Sequence, residues 1–362
     1  MFRGKTILLP CDDPEWSNFT KFFAQNFERF GIKKLISTSY APDSKNYKNG
    51  YQPSLFEVSN PQFDKIKTVK NGKIFTLTHD KSGDGKVDVN DLEWHYLVGD
   101  GDFKSEEIKK LRDEADIIIT NPPFSLFREF LVWVVQACKQ FVIIGNMNAI
   151  TYKEVFPLIK VNKIWLGATG NTSDMVFAVP EGTEVDEKDK QKAARLGYVG
   201  DYTRLGNSCW FTNIDHGKRH KELQLMSMID NLKFSRHKEI KGKEYKKYDN
   251  YNAIEVPFTD AIPSDYAGVM GVPISFLDKY SPEQFDILGA TQRGCHDEVP
   301  DTKKYDDYFE VKPNGQKTGS SGGKTNENAN LVGNNGKKNY FINSEGRVIQ
   351  SAYQRIFIRH KI

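Results

Sequence analysis

The segment Asp116-Ile117-Ile118-Ile119-Thr120-Asn121-Pro122-Pro123-Phe124 confines this chain to few architectures. Three consecutive isoleucines without polar alternation suit a strand covered on both faces, as in the centre of a largely parallel sheet. The two prolines that follow cannot continue a hydrogen-bonded ladder, so the strand ends there. Phe127, Phe130, Leu131, Val134 and Val135 then fall on one stripe, which predicts a helix from Phe127 to Ala137. Strand, loop and helix make half of a βαβ unit. In such sheets ligands bind at the carboxyl ends of the strands, where Asn121 sits.

The rest of the first 150 residues alternates in the same way, which places the chain in the α/β class. Lys5-Thr6-Ile7-Leu8-Leu9 and Lys34-Leu35-Ile36-Ser37 read as strands flanking a Phe-rich amphipathic helix from Ser17 to Phe30. Phe141 to Gly145 supplies another strand. Lys73–Thr78 and Glu93–Leu97 read as a hairpin inserted at about 70–98. Lys163–Gly167 and Ser208–Asn213 are expected as later strands of the same sheet. These patterns group 1–215 as one domain and 216–362 as a second region. The second region opens with a basic stretch, His216 to Tyr248, which is either a solvated face or a polynucleotide contact. Val311 to Lys338 is rich in Gly, Asn, Ser and Lys and reads as a disordered insertion or a mobile arm.

The end of the isoleucine strand carries a distinctive set of groups. An amino nitrogen conjugated to a ring, such as adenine N6, is a poor nucleophile, and two acceptors holding its hydrogens bend it toward a tetrahedral shape. Asn121 Oδ1 and the Pro122 carbonyl can be those acceptors. Pro122 and Pro123 stiffen the turn, and Phe124 offers a face on which a base can stack. The competing reading is that Asn-Pro-Pro only punctuates the end of a buried strand.

A methyl donor for such an amine belongs at the ends of the neighbouring strands. Pro10, Cys11, Asp12 and Asp13 follow the first strand, and Ser39 and Tyr40 follow the second. A carboxylate of Asp12 or Asp13 can hold a methionine ammonium or ribose hydroxyls, and Tyr40 can lie against an adenine ring. Both acids also suit an N-cap of the Phe-rich helix. Gly99-Asp100-Gly101-Asp102-Phe103 allows close backbone approach, with Asp102 accepting from an adenine amino group, and it also reads as a plain turn.

Together these segments resemble the EcoRI-type adenine-specific DNA methyltransferase family. The resemblance is carried by Cys11-Asp12-Asp13-Pro14-Glu15-Trp16-Ser17-Asn18-Phe19, Ile36-Ser37-Thr38-Ser39-Tyr40, Gly99–Phe103 and Asn121-Pro122-Pro123-Phe124-Ser125-Leu126-Phe127. It extends through Gly145-Asn146-Met147-Asn148, Trp210–Asn213 and Tyr353-Gln354-Arg355-Ile356-Phe357, so it covers most of the chain. It implies a Rossmann-like S-adenosylmethionine-dependent fold with a C-terminal, loop-rich target-recognition region. It also implies transfer of a methyl group from S-adenosylmethionine to N6 of a flipped adenine in double-stranded DNA, in a restriction-modification or orphan modification system. Asn121, Pro122, Pro123 and Phe124 take the catalytic positions, and Asp102 with Phe103 the cofactor-adenine position. The first loop departs from the pattern, because Cys-Asp-Asp-Pro replaces the Gly-x-Gly common among methyltransferases. Transfer to an RNA adenine or a protein glutamine by the same segment is the alternative.

Composition narrows the rest. A net charge of +3 permits a nucleic-acid partner only if positive charge is concentrated on one face. No apolar run reaches the ~18 residues of a membrane span, and Met1–Lys5 passes directly into a strand, so a cytoplasmic protein without a membrane partner is expected. Cys11, Cys138, Cys209 and Cys295 show no paired spacing and are expected as thiols with no metal site. Asp80–Asp91 matches a calcium loop in its acidic positions but has Asp91 where a bidentate Glu is usual, so a Gly/Asp hairpin turn is favoured. A monomer is expected, with any cognate restriction endonuclease acting separately. Arg293, His296, Lys317, Lys324, Lys337 and Lys338 are candidate DNA contacts.

Overall fold

The computed structural model describes residues 1–14, 17–41, 58, 61–168, 175–179, 184–205, 207–291, 299 and 301–361. Two compact units divide the chain, 1–146 with 208–214, and 147–207 with 215–362. Residues 147–207 thus group with the C-terminal part, whereas sequence patterning joins them to the first.

The first unit is a mixed α/β sheet. In chain order the early strands are β1 (Thr6–Leu9), β2 (Lys34–Ser39), β3 (Lys73–Leu77), β4 (Glu93–Tyr96), β5 (Ile117–Thr120) and β6 (Gln140–Asn146). After β7 (Trp165–Leu166), β8 (Met175–Ala178) and β9 (Tyr202–Leu205), the chain returns to this unit as β10 (Ser208–Thr212). The strand order in the unit is β4-β3-β2-β1-β5-β6-β10. β2, β1, β5 and β6 are parallel, while β3, β4 and β10 pair antiparallel with their neighbours. From β1 the chain winds outward to β2 and later resumes on the other side of β1 as β5. The order therefore reverses between β1 and β5, and a sheet of this kind opens a crevice at that switch point.

Burial on both faces explains the isoleucine run. Ile117 and Ile119 join Ile7, Leu9, Leu35, Phe23 and Phe27 in one core cluster. The Phe-rich helix is not continuous. It breaks into Asn18–Gln25 and Phe27–Phe30 at Asn26, whose side-chain amide donates to the Phe22 carbonyl at 2.9 Å. Asparagine competes in this way with the helix's own ladder. The break lets Phe23 and Phe27 both reach the core while Phe22 stays half exposed.

β3 and β4 form the hairpin, and the acidic segment lies in its connection. Asp80 accepts from the amides of Gly83 and Gly85 at 2.7 and 2.8 Å. Asp91 accepts from the amides of Asp88, Ser82 and Lys81, which hold its carboxyl at about 2. Both carboxylates thus serve the turn itself. Among the described residues no cluster of His, Cys, Asp and Glu is arranged to hold a metal ion.

The second unit carries three sheets. β11 (Ala253–Glu255), β12 (Val269–Pro273) and β13 (Phe285–Ala290) join β19 (Arg355–His360) in the order β11-β12-β19-β13. β14 (Phe309–Val311), β15 (Lys317–Ser321), β16 (Asn330–Val332), β17 (Tyr340–Ile342) and β18 (Val348–Ser351) form a second sheet in the order β15-β14-β17-β18-β16, and β8 pairs with β9. The tract Val311–Lys338 is therefore strand and turn, not a disordered arm. Its order comes from polar side chains bonded to backbone. Buried Asn250 donates to the Asn328 carbonyl at 2.8 Å and accepts from the Asn330 amide at 2.9 Å, while buried Asn330 donates to the Thr325 carbonyl at 2.8 Å. Composition reads such residues as solvent-swollen because it cannot show that they bond inward.

In the first unit one glycine is required by shape as well as by conformation. Gly101 has φ +87°, and a Cβ there would stand 2.3 Å from the Ser39 carbonyl oxygen. Gly101→Ala is expected to cost more than about 3 kcal/mol, since backbone must move in addition to the ~1–2 kcal/mol of a left-handed non-glycine residue. Gly315→Ala, also at positive φ but with open space around it, is the reference and should cost only ~1–2 kcal/mol. Urea denaturation of the two variants measures the difference, and equal losses would contradict the steric assignment.

Candidate active site

At the carboxyl end of β5 the chain turns sharply. Pro122 is buried, whereas Asn121 and Pro123 are exposed and Phe124 is 44% exposed. The Leu126 amide donates to the Pro123 carbonyl at 2.9 Å and so starts the short turn that leads into the Phe127–Gln136 helix. Among the described residues no donor meets Asn121 Oδ1 or the Pro122 carbonyl. Below the turn, Phe127 packs on Phe211 with ring centroids 4.9 Å apart. This is possible because Gly145 at the end of β6 has no side chain; a Cβ would stand 2.3 Å from the Phe127 ring.

The loop after β1 is fastened to this turn. Thr120, the last residue of β5, donates its hydroxyl proton to the Pro10 carbonyl at 2.6 Å. Cys11 then takes φ +64°, a left-handed conformation that non-glycine residues rarely adopt. Cys11 thus takes the left-handed turn usually given to glycine, in a loop that has no Gly-x-Gly. Further bonds tie the loop to β2. The Asp12 amide donates to the Thr38 carbonyl at 2.8 Å, and the Asp12 carbonyl accepts from the hydroxyls of Ser37 and Thr20.

Asp12 is strongly perturbed. It is 4% exposed, Ser17 donates to its Oδ1 at 2.6 Å, and Oδ2 has no partner among the described residues. Thr120 lies alongside, but its proton is directed at Pro10. Burial outweighs the Ser17 hydrogen bond and the neighbouring Thr120 hydroxyl, and lifts the Asp12 carboxyl to about 6. Ser17 is also the N-cap of the Asn18–Gln25 helix, accepting from the Phe19 amide at 3.1 Å, so the capping role foreseen for the two acids belongs to Ser17.

The third loop docks on β2. The Ala41 amide donates to the Asp100 carbonyl at 2.7 Å, and Gly101 lies against the Ser39 carbonyl. Ser39 is buried and its hydroxyl accepts from the Lys73 amide at 3.2 Å. Asp102 accepts from the Lys104 amide at 2.9 Å, so part of its capacity serves the turn before the Glu106–Glu114 helix. Phe103 is 4% exposed and packs edge-on against Phe130 and Trp133, with centroids 5.3 and 5.6 Å away. Its place is in the wall, with little ring surface open. Backbone bonds and close contacts thus link Pro10–Asp12 to Thr120 and to β2, and link Ser39–Ala41 to Asp100 and Gly101. The fastening residues Thr120, Ser37 and Thr20 escaped sequence reasoning; the one available signal was a threonine ending an apolar strand.

The family model for the adenine-specific methyltransferase EcoRI matches residues 1–361. The chain belongs to this family. The activity expected from the Asn-Pro-Pro-Phe segment, methylation of adenine in DNA, is the activity of an EcoRI-family enzyme. The Type II methyltransferase M.EcoRI of Escherichia coli is 42% identical over 288 residues, 79% of each chain. Type II methyltransferase M.MgeORF184P of Mycoplasma genitalium is 32% identical over 79% of this chain and 76% of its own. M.MpnI of Mycoplasma pneumoniae is 30% identical over 79% of this chain and 75% of its own. No solved structure matches.

Among the described residues Cys11, Cys138 and Cys209 form no disulfide, and no helix is long and apolar enough to cross a membrane. Cys295, Arg293 and His296, and the side chain of Lys324, lie outside the described residues.

Asp12 gives this EcoRI-family site a pH signature. Its folded carboxyl at about 6 stands above the ordinary 3.8, so the folded state holds the proton more tightly than the unfolded chain. The resulting stability is fully present below the unfolded value and is lost as pH rises through about 6. Asp12→Asn cannot ionise, so relative to the parent it should gain up to about 3 kcal/mol above pH 6.5 and little near pH 4. Thermal melting of the two proteins across this range tests it, and a constant offset at all pH values would contradict the assignment.

Proposed function

We propose that this chain is a site-specific DNA adenine N6-methyltransferase that uses S-adenosylmethionine and acts on a base flipped out of duplex DNA. The observation that carries the reading is the pair of undonated acceptors, Asn121 Oδ1 and the Pro122 carbonyl, at the carboxyl end of a central strand beside the switch point. The first unit would be the catalytic Rossmann-like domain, and the second would contain target recognition. A role in a restriction-modification system, with any endonuclease a separate protein, accords with the Type II relatives.

The residues present fit the cofactor. Asp12 Oδ2 is a buried acceptor without a donor, and such an atom suits a cationic ammonium group better than a neutral one. Asp12 would hold the methionine amine, with Pro10, Cys11 and Asp13 shaping that end of the pocket. Ser39, Tyr40, Asp102 and the edge of Phe103 would border the adenosine end. When bound, S-adenosylmethionine supplies an electrophilic methyl group on a sulfonium sulfur.

The chain's own groups then do three things. Phe124, half exposed beside the turn, stacks on the extruded base. Asn121 Oδ1 and the Pro122 carbonyl accept the two N6 hydrogens, withdraw the nitrogen lone pair from the ring and aim it at the donor. Pro123 fixes the turn so that both acceptors keep their direction without reorganising. No strong general base is needed, because N6 becomes acidic as it is alkylated. A protein glutamine as acceptor is disfavoured by the family's adenine specificity.

Asn121→Ala is expected to lower methyl transfer about a hundredfold or more, with cofactor affinity by calorimetry changed less than about twofold. Phe124→Ala should weaken capture of the base by ~1–3 kcal/mol and appear mainly in KM. Labelled methyl transfer to duplex DNA, RNA and protein in parallel identifies the substrate class. Full activity of Asn121→Ala, or labelling of RNA or protein in preference to DNA, would refute the reading.

A further inference from the structure

Some cations of the second unit are paired within it. In the basic stretch, Lys218 bonds Asp278 at 2.6 Å, Arg236 bonds Asp260 at 2.8 Å, and Arg219 stacks on Trp165 at 3.9 Å while reaching Asp215 and Asn162. Lys303 and Arg347 both bond Asp249. Others are unpaired, and one group of these is gathered at a single sheet end. Val311 on β14 faces Lys317 on β15 and Tyr340 on β17, so the Lys312–Gln316 turn and the loop leading into β17 emerge at one end of the five-stranded sheet. That end carries Lys312, Lys317, Lys337 and Lys338, all exposed, and none forms an ion pair among the described residues.

Glu310, on β14, accepts from Thr318 at 2.7 Å and from Asn339 at 2.9 Å. Two of the lysines are steadied by aromatic faces. Lys317 lies 4.0 Å from the Phe309 ring centroid and Lys338 lies 3.6 Å from that of Tyr353. A ring holds a cation without cancelling its charge. Gln350 fixes the loop, with Nε2 donating to Asn335 Oδ1 at 3.2 Å and to the Asn339 carbonyl at 3.3 Å. Lys338 and Tyr353 also border a groove of about 450 Å³ lined by Lys243 and Lys246 together with Glu239, Glu244 and the buried Arg355–Glu255 pair.

We propose that this sheet end and the adjoining groove form a phosphate-binding surface for duplex DNA. The inference rests on the DNA reading above and assigns a place to it. Lys312, Lys317, Lys337 and Lys338 contact phosphates along one strand, and Lys243 and Lys246 extend the track. The occupant is a polyanion because four exposed lysines, two of them steadied by rings, are spaced along adjoining turns without ion pairs among the described residues, a pattern that suits repeated phosphates.

The test uses the full-length protein and a fluorescently labelled duplex carrying the site that long-read sequencing identifies as modified. Anisotropy titrations between about 50 and 200 mM salt give the affinity and its salt slope. For Lys312→Gln/Lys317→Gln/Lys338→Gln we expect at least about tenfold weaker binding and a slope shallower by about 2–3, since each phosphate contact contributes about 0.9. The triple Lys→Arg variant should restore both, and unchanged melting temperatures show that the fold is intact. Lys188→Gln/Lys190→Gln/Lys192→Gln, on the Glu187–Arg195 helix, removes the same charge elsewhere and should leave the slope as it was. If the sheet-end variant binds and methylates like the parent with the same salt slope, or if the control loses as much, the surface assignment is wrong while the function stands. If the parent neither binds nor methylates duplex DNA, the functional reading itself falls, and this surface with it.

Discussion

The hydrogen bond from the Thr120 hydroxyl to the Pro10 carbonyl crosses the point at which the sheet changes direction. Two loops leave adjacent parallel strands there, and nothing in the ladder itself fixes how far they splay. A buried side-chain-to-backbone bond sets that opening. It joins the segment proposed to hold the methyl donor to the segment proposed to hold the methyl acceptor. It also directs the Thr120 proton away from neighbouring Asp12, whose raised carboxyl comes chiefly from burial.

A consequence is that the site's electrostatics are made by backbone and hydroxyl groups more than by charged partners. Asp12 meets no cation among the described residues, and its neighbours Ser17, Ser37, Thr20 and Thr120 are neutral. A carboxylate in such surroundings gains most from a ligand that brings positive charge. The Asn-Pro-Pro turn shows the same economy, offering two acceptors and a ring on a backbone that proline has already fixed.

How much of this was legible in the sequence depended on which force shaped each part. Where apolar burial dominates, as in Ile7–Leu9, Leu35–Ile36 and Ile117–Ile119, the pattern of residues gave strands and their place in the sheet. Where side chains bond to backbone, the pattern misled. Asn26 broke a helix that hydrophobic periodicity carried through to Phe30. The asparagines around Asn330 ordered a tract that composition assigned to disorder. Cys11 adopted a glycine-like conformation that no residue preference announces. The densest basic stretch, His216–Tyr248, drew attention by its charge, yet Lys218, Arg219 and Arg236 in it are bound to carboxylates of their own unit. Pairing is a property of three-dimensional neighbours, and no count of lysines contains it.

The amide network beneath the five-stranded sheet bears on how such an enzyme changes over time. Asn250, Asn328 and Asn330 secure that sheet through main-chain atoms, which every residue possesses. The exposed positions of its turns are thereby released from any duty to the interior, and side chains there can be exchanged without recutting a hydrophobic core. The β1–β5 crevice has no such freedom, since Gly101, Gly145 and Thr120 each answer to a fixed neighbour. On the roles proposed for the two units, a scaffold divided in this manner can wander through different DNA sequences while its methyl-transfer chemistry stands still.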